Sequence, residues 1–172
     1  MKVLSLLALA ALMAAGTAQA QSTPINQWQI IEGRGLTDDV VYLGMTRKAA
    51  VAVSRECKGK VSTCSFQPQA GSPTPIDTPV VTLTFDAKNK VSRIVINQNF
   101  RDIQWPTTAG ATDAMSITQV QALYPGSSIA PLGPFDYALT ASKQGYTFNE
   151  YNEGSDGFER RLVTHVLTKP RR

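Results

Sequence analysis

Histidine occurs once in this chain, at 165, and cysteine twice, at 57 and 64. With a single imidazole, no Ser/His/Asp or Cys/His nucleophile can be assembled without His165. That residue stands between Thr164 and Val166 in a stretch patterned as a strand. It reads as a sheet or partly buried histidine. A tetrahedral metal site needs more ligands than two thiols, and no others lie near them. Adjacent acids occur only at Asp38-Asp39. Neighbours in an extended chain point to opposite faces, so this pair reads as a solvated turn, not a shared-proton dyad. Gly33-Arg34-Gly35 lacks the remaining glycine and the strand–helix context of a dinucleotide fingerprint. No catalytic residue, metal ligand or cofactor is expected, and the chain does not read as an enzyme.

Long apolar runs are also missing once the first twenty residues are set aside. Those twenty form a short positive start at Met1-Lys2, an apolar run and the small-residue tripeptide Ala18-Gln19-Ala20. This is the layout of a cleavable secretory signal peptide, too short to span a bilayer as a stable helix. It predicts a periplasmic or secreted protein with no transmembrane segment. Removing it takes away one lysine and leaves sixteen basic against thirteen acidic side chains, a net +3. Lys169, Arg171 and Arg172 carry much of that excess at the C-terminus. So mild an excess on a chain end reads as a solvated terminus, and no nucleic acid is expected as a partner.

What remains is 42% hydrophobic and 17% charged, an ordinary globular composition. Export places Cys57 and Cys64 in a compartment that permits disulfides. Between them Lys58-Gly59-Lys60-Val61-Ser62-Thr63 makes a hairpin-sized loop. A redox pair would more typically be Cys-x-x-Cys, so the reading is a structural disulfide.

Two stretches carry helix-start chemistry. In Leu43-Gly44-Met45-Thr46-Arg47, Thr46 is the N-cap of a helix rich in alanine and valine that ends before Cys57. Seventy positions later, Ala114-Met115-Ser116 is followed by Gln119, so Ser116 and Gln119 form a capping box and Pro125-Gly126 ends the helix. A proline-containing connection follows each helix, at residues 68–79 and 125–134. Strands follow each connection: residues 80–85 and 91–96 in the first half, and 137–140, 145–151 and 161–168 in the second. The expected fold class is α+β: two tandem helix–strand–strand repeats forming a joined antiparallel sheet, with both helices packed on one face. The units are 1–20 as leader, 21–105 as first repeat and 106–172 as second, making one compact body.

The Gly44-Met45-Thr46-Arg47 start resembles that of the secreted β-lactamase inhibitory proteins and the small outer-membrane lipoproteins of the barrel-assembly machinery. In that superfamily the inhibitory proteins carry two such units in tandem, with a cysteine after the first helix paired to one in the next strand. The resemblance implies a disulfide at Cys57 and Cys64 and a fold whose lineages bind quite different proteins. The second half departs from it, with Ala-Met-Ser in place of Gly-Met-Thr and no cysteines.

With no catalytic groups, the chain is expected to be a protein-binding module, either an inhibitor or immunity-type protein or an envelope-assembly factor. Its partner would be another exported or envelope protein. Tyr146, Phe148 and Glu150 share one face of a strand, and Asn149 and Tyr151 share the other. Asn149 and Tyr151, with Tyr137 and a charged anchor at Arg160 or Arg161, are the expected partner-binding residues, Arg161 being preferred. The competing expectation is a small secreted hydrolase or ligand-binding protein using a pocket near His165.

Overall fold

The computed structural model describes residues 23–68, 77–98, 103–153 and 160–170. The expected leader lies outside these residues, as do the prolines Pro73 and Pro75 of the first connection, residues 154–159 and the final two arginines. The N-terminal arm opens with a 3-10 turn at Ile25–Gln27, then a short hairpin of β1 (Ile30–Ile31) and β2 (Gly35–Leu36). Helix α1 spans Arg47–Val53 and a 3-10 turn, Arg55–Cys57, follows it. Strands β3 (Thr63–Phe66), β4 (Val80–Phe85) and β5 (Val91–Asn97) complete the first half. Helix α2 (Ile117–Leu123) opens the second. After it come β6 (Ser128–Pro131), β7 (Tyr137–Ala141), β8 (Tyr146–Glu153) and β9 (Arg160–Leu167).

Seven of the strands form one antiparallel sheet in the order β3-β4-β5-β9-β8-β7-β6. The last strand sits at its centre and joins the halves, with Ile94 opposite Leu167 and Ile96 opposite His165. This corrects the expected fold class. The protein is mostly β, not an α+β arrangement of helices packed on a sheet face. Each helix has only seven residues, about two turns, below the length at which helices stand alone in water. Helix α1 packs chiefly on the 3-10 turn Arg55–Cys57, and α2 on β7 and β8. Much of the cover over the sheet's inner face is irregular chain. The arm and the loop at residues 103–112 contribute Ile25, Trp28, Ile30, Leu36, Trp105 and Ala111 to the core, all buried.

The arm is held by specific polar contacts. Trp28 and Trp105 stack with ring centroids 5.2 Å apart. Their indole N–H groups donate to the carbonyls of Thr23 and Ile25 at 2.9 and 2.8 Å, so neither buried ring leaves its N–H unpaired. Ile30 N–H donates to the Pro106 carbonyl and Thr108 N–H to that of Ile30, which ties the arm to the loop.

The helix-start segments behave as their chemistry dictates. Gly44 takes φ +89°, the left-handed region that glycine enters without steric cost. Its N–H donates to Val91 O, and Val91 N–H donates to Met45 O, which pins the segment to β5. Thr46 caps α1 through Ala49 N, and the Arg47 guanidinium lies 3.9 Å from the Phe85 ring centroid. Ser116 and Gln119 form the reciprocal capping box at α2. The Glu150 carboxylate accepts from Ile117 N at 3.0 Å, so an acidic side chain meets the free donors of the first turn. Cys57 and Cys64 are disulfide-bonded, and the bond ties the 3-10 turn to edge strand β3.

Candidate functional site

Register sorts the expected partner-binding residues. Cross-strand partners share a face, and Tyr137 pairs with Glu150, whereas Asn149 pairs with Ala138 and Thr164. Asn149 and Tyr151 therefore lie on the outer face together, half-buried, with the Asn149 amide donating to Thr164 Oγ1 at 3.3 Å. Tyr137 lies on the opposite, inner face and is exposed. Position 161 pairs with Asn152, out of phase with Tyr151, while 160 pairs with Glu153 in phase with it. The four residues do not make one patch on one face.

The outer face carries few charges. Its central row runs across all seven strands as Ser65, Thr82, Val95, Val166, Thr147, Thr140 and Ser128. The Ser65 and Thr82 hydroxyls bond each other at 2.7 Å. Among the described residues that are not strand-end arginines or Glu153, only Arg93 is charged there.

A stronger surface feature lies at the hairpin between β6 and β7. Four large apolar side chains are exposed among the described residues, and three are here: Leu132 at 52%, Phe135 at 70% and Tyr137 at 38%. The loop that presents them is fixed. Leu132 N–H donates to Asp136 O at 2.8 Å. Asn152 on β8 donates its N–H to Asp136 Oδ1 at 3.0 Å and its side-chain amide to Phe135 O at 2.6 Å. Pro131 and Pro134 restrict the backbone on either side of Leu132-Gly133. Sequence reading passed over this tip, treating residues 125–134 as a connection.

His165 is fully buried. Gln98 is oriented by Trp105, whose N–H donates to Gln98 Oε1 and whose carbonyl accepts from Gln98 Nε2 at 3.0 Å. The amide nitrogen then also faces His165 Nε2 at 2.9 Å, so that ring nitrogen accepts. By this network the neutral ring carries its proton on Nδ1 and donates to the Tyr146 hydroxyl at 2.8 Å. Burial in apolar surroundings, only partly opposed by the distant Glu32 charge, lowers the His165 pKa to about 3. Burial likewise raises that of Tyr146 well above the usual phenol range. The ring is a structural hub and lines no open cleft.

One cleft, of about 500 Å³ and open to solvent, lies where five segments converge. Glu32 comes from the arm, Thr108 and Ala109 from the loop, Leu123 and Tyr124 from the end of α2, Lys143 and Gln144 from the turn between β7 and β8, and Pro170 from the C-terminal end. Tyr124 donates to Glu32 Oε1 at 2.5 Å, Ala109 N–H donates to the same oxygen at 3.2 Å, and the Thr108 hydroxyl donates to Oε2. Thr107 Oγ1 meets the Tyr124 oxygen at 2.7 Å and accepts from Ala111 N. Partial burial alone would raise the Glu32 pKa. The donated hydrogen bonds outweigh it and hold the carboxyl below its usual value, an anion. Burial and the Glu32 charge raise the pKa of Tyr124, which stays a neutral donor. No group of three or more His, Cys, Asp or Glu capable of holding a metal occurs among the described residues.

No helix among the described residues is long and apolar enough to cross a membrane. Neither a known protein family, nor a curated protein, nor a solved structure matches the chain.

Proposed function

We propose that this is an exported, non-catalytic protein-binding module, of inhibitor, immunity or envelope-assembly type, that docks through the β6–β7 end of its sheet. The observation carrying this reading is the tip itself. Phe135 and Leu132 stand in solvent on a loop whose backbone is tied to β8, and Tyr137 extends the same apolar surface. Large exposed side chains on a fixed scaffold lose little conformational freedom on binding and are typical anchors. The disulfide fits the compartment implied by the leader-like start. A hydrolase or ligand-binding reading centred on His165 has less behind it, because both ring nitrogens already bond buried neighbours.

The test is site-specific photocross-linking in the exported fraction of the source cells. A photoreactive residue at 135 is expected to yield a discrete adduct with another protein, lost when Leu132→Ser is added. The same probe at exposed Lys48 should not give it. The fold should tolerate Leu132→Ser within about 0.5 kcal/mol, as solvent-facing substitutions do. Absence of any position-135 adduct from a folded protein would reject the tip as the docking surface.

A further inference from the structure

The cleft at Glu32 is built in a way that the arm's attachment does not explain. Glu32 and Lys143 line the same cavity with opposite charges, yet they are not paired. Among the described residues the single ion pair is Arg34 with Asp39. Lys143 is exposed and, among the described residues, has no carboxylate within pairing distance. Glu32 accepts from Tyr124, Ala109, Thr108 and its own backbone N–H, yet among the described residues no cation is paired with its charge. The cleft thus holds a fixed anion, a separate cation and space between them. Its volume falls within the range of small-molecule sites.

The walls supply the remaining elements of recognition. Leu123, Ala109 and Pro170 give an apolar side, and Gln144 adds an amide. The wall beside Glu32 is close-packed. A Cβ at Gly33, which has φ +67°, would come within 2.5 Å of the Gln144 carbonyl oxygen and 2.7 Å of Pro170 Cγ. The backbone next to the carboxylate therefore packs closely against Gln144 and Pro170.

We propose that this cleft binds a small zwitterion with an apolar side chain, of the α-amino acid or short-peptide class. The ligand's ammonium group sits against the charge of the Glu32 carboxylate, its carboxylate meets Lys143, and its side chain lies against Leu123 and Pro170. The site is independent of the docking tip, and its failure would leave the protein-binding reading untouched.

Amide chemical-shift titration of the folded protein tests this with L-leucine, leucyl-leucine, N-acetyl-leucine and leucinamide. Saturable shifts confined to residues 32–33, 108–109, 123–124 and 143–144 are expected with the first two. The tighter of these identifies whether the free amino acid or the peptide is the better fit. N-acetyl-leucine lacks the ammonium and leucinamide the carboxylate, so each should bind at least about tenfold more weakly. Lys143→Ser, an exposed change, should weaken leucine binding to a similar degree while leaving leucinamide unaffected. Glu32→Gln should remove the preference for an ammonium group. It also perturbs the arm, so the Lys143 variant and the blocked ligands carry the test if it fails to fold. No saturation below ~10 mM, equal binding of the blocked forms, or wild-type affinity in Lys143→Ser would each overturn the proposal.

Discussion

His165 and Glu32 show how a single side chain takes its properties from burial and from the direction of its hydrogen bonds. Both make the fold sensitive to acid, over different ranges. His165 has a folded pKa near 3 against an ordinary 6.5. The unfolded chain binds its proton first, so stability is complete above pH 6.5 and falls as pH drops toward 3. The slope should approach roughly 1.4 kcal/mol per pH unit within that window. Glu32 has a folded pKa held below 4.5, so its contribution is present above 4.5 and is lost as pH falls through the lower value. Between pH ~6 and ~5 the decline belongs, among the described residues, to His165. Denaturant unfolding measured across that interval should therefore show the decline in the native protein and a nearly flat profile in His165→Asn, whatever the variant's absolute stability. An unchanged slope in the variant would show that the imidazole is not the group responsible. The sequence showed one histidine in a strand pattern. Its partners Gln98 and Tyr146 lie 67 and 19 residues away, so nothing local signalled its burial.

At the scale of elements, local chemistry decided where helices start and tertiary contact decided how little they extend. The caps at Thr46 and Ser116 depend on residues within three positions, and both were legible. Strands β3 and β6 were not. Thr63–Phe66 and Ser128–Pro131 have four residues each and lie at the two edges of the sheet, where a short run carries little periodicity. Turns show the same division between local and distant causes. Gly110 and Gly145 both have positive φ, at +92° and +65°. A Cβ at Gly110 meets nothing within 4 Å, whereas at Gly145 it would lie 2.1 Å from the Thr168 carbonyl oxygen. Gly110→Ala should cost about 1 kcal/mol, the left-handed penalty alone. Gly145→Ala should cost upwards of ~3 kcal/mol, because backbone must also be displaced. Equal melting-temperature losses in the two variants would show that the close approach of the chain end to this turn is not maintained in solution.

For the whole molecule, β9 sits at the centre of the seven-stranded sheet between the two halves, so unfolding as one cooperative unit is expected. The C-terminal strand pairs with β5 of the first half and β8 of the second, while the N-terminal arm joins the core through Trp28, packed on Trp105 of the 103–112 loop. The arm is part of the core and not an appendage. Trp28→Ala should cost about 3 kcal/mol or more, as for other buried aromatic truncations. It should leave a single unfolding transition. A small loss confined to a separate early transition, followed by calorimetry, would instead assign the arm to an independent layer.

The sequence by itself determined the helix starts, five of the seven strands of the large sheet, the cysteine pair and the division of Tyr146 and Phe148 from Asn149 and Tyr151. Each of these rests on spacing within a few residues, where backbone periodicity and capping geometry act. Only the tertiary structure decided which layer covers the sheet, that Tyr137 falls on the face opposite Tyr151, that His165 is enclosed, and that Glu32 meets Tyr124 across 92 positions. Those outcomes depend on strand order and on irregular chain finding apolar surface to bury. Local periodicity does not encode such long-range pairing.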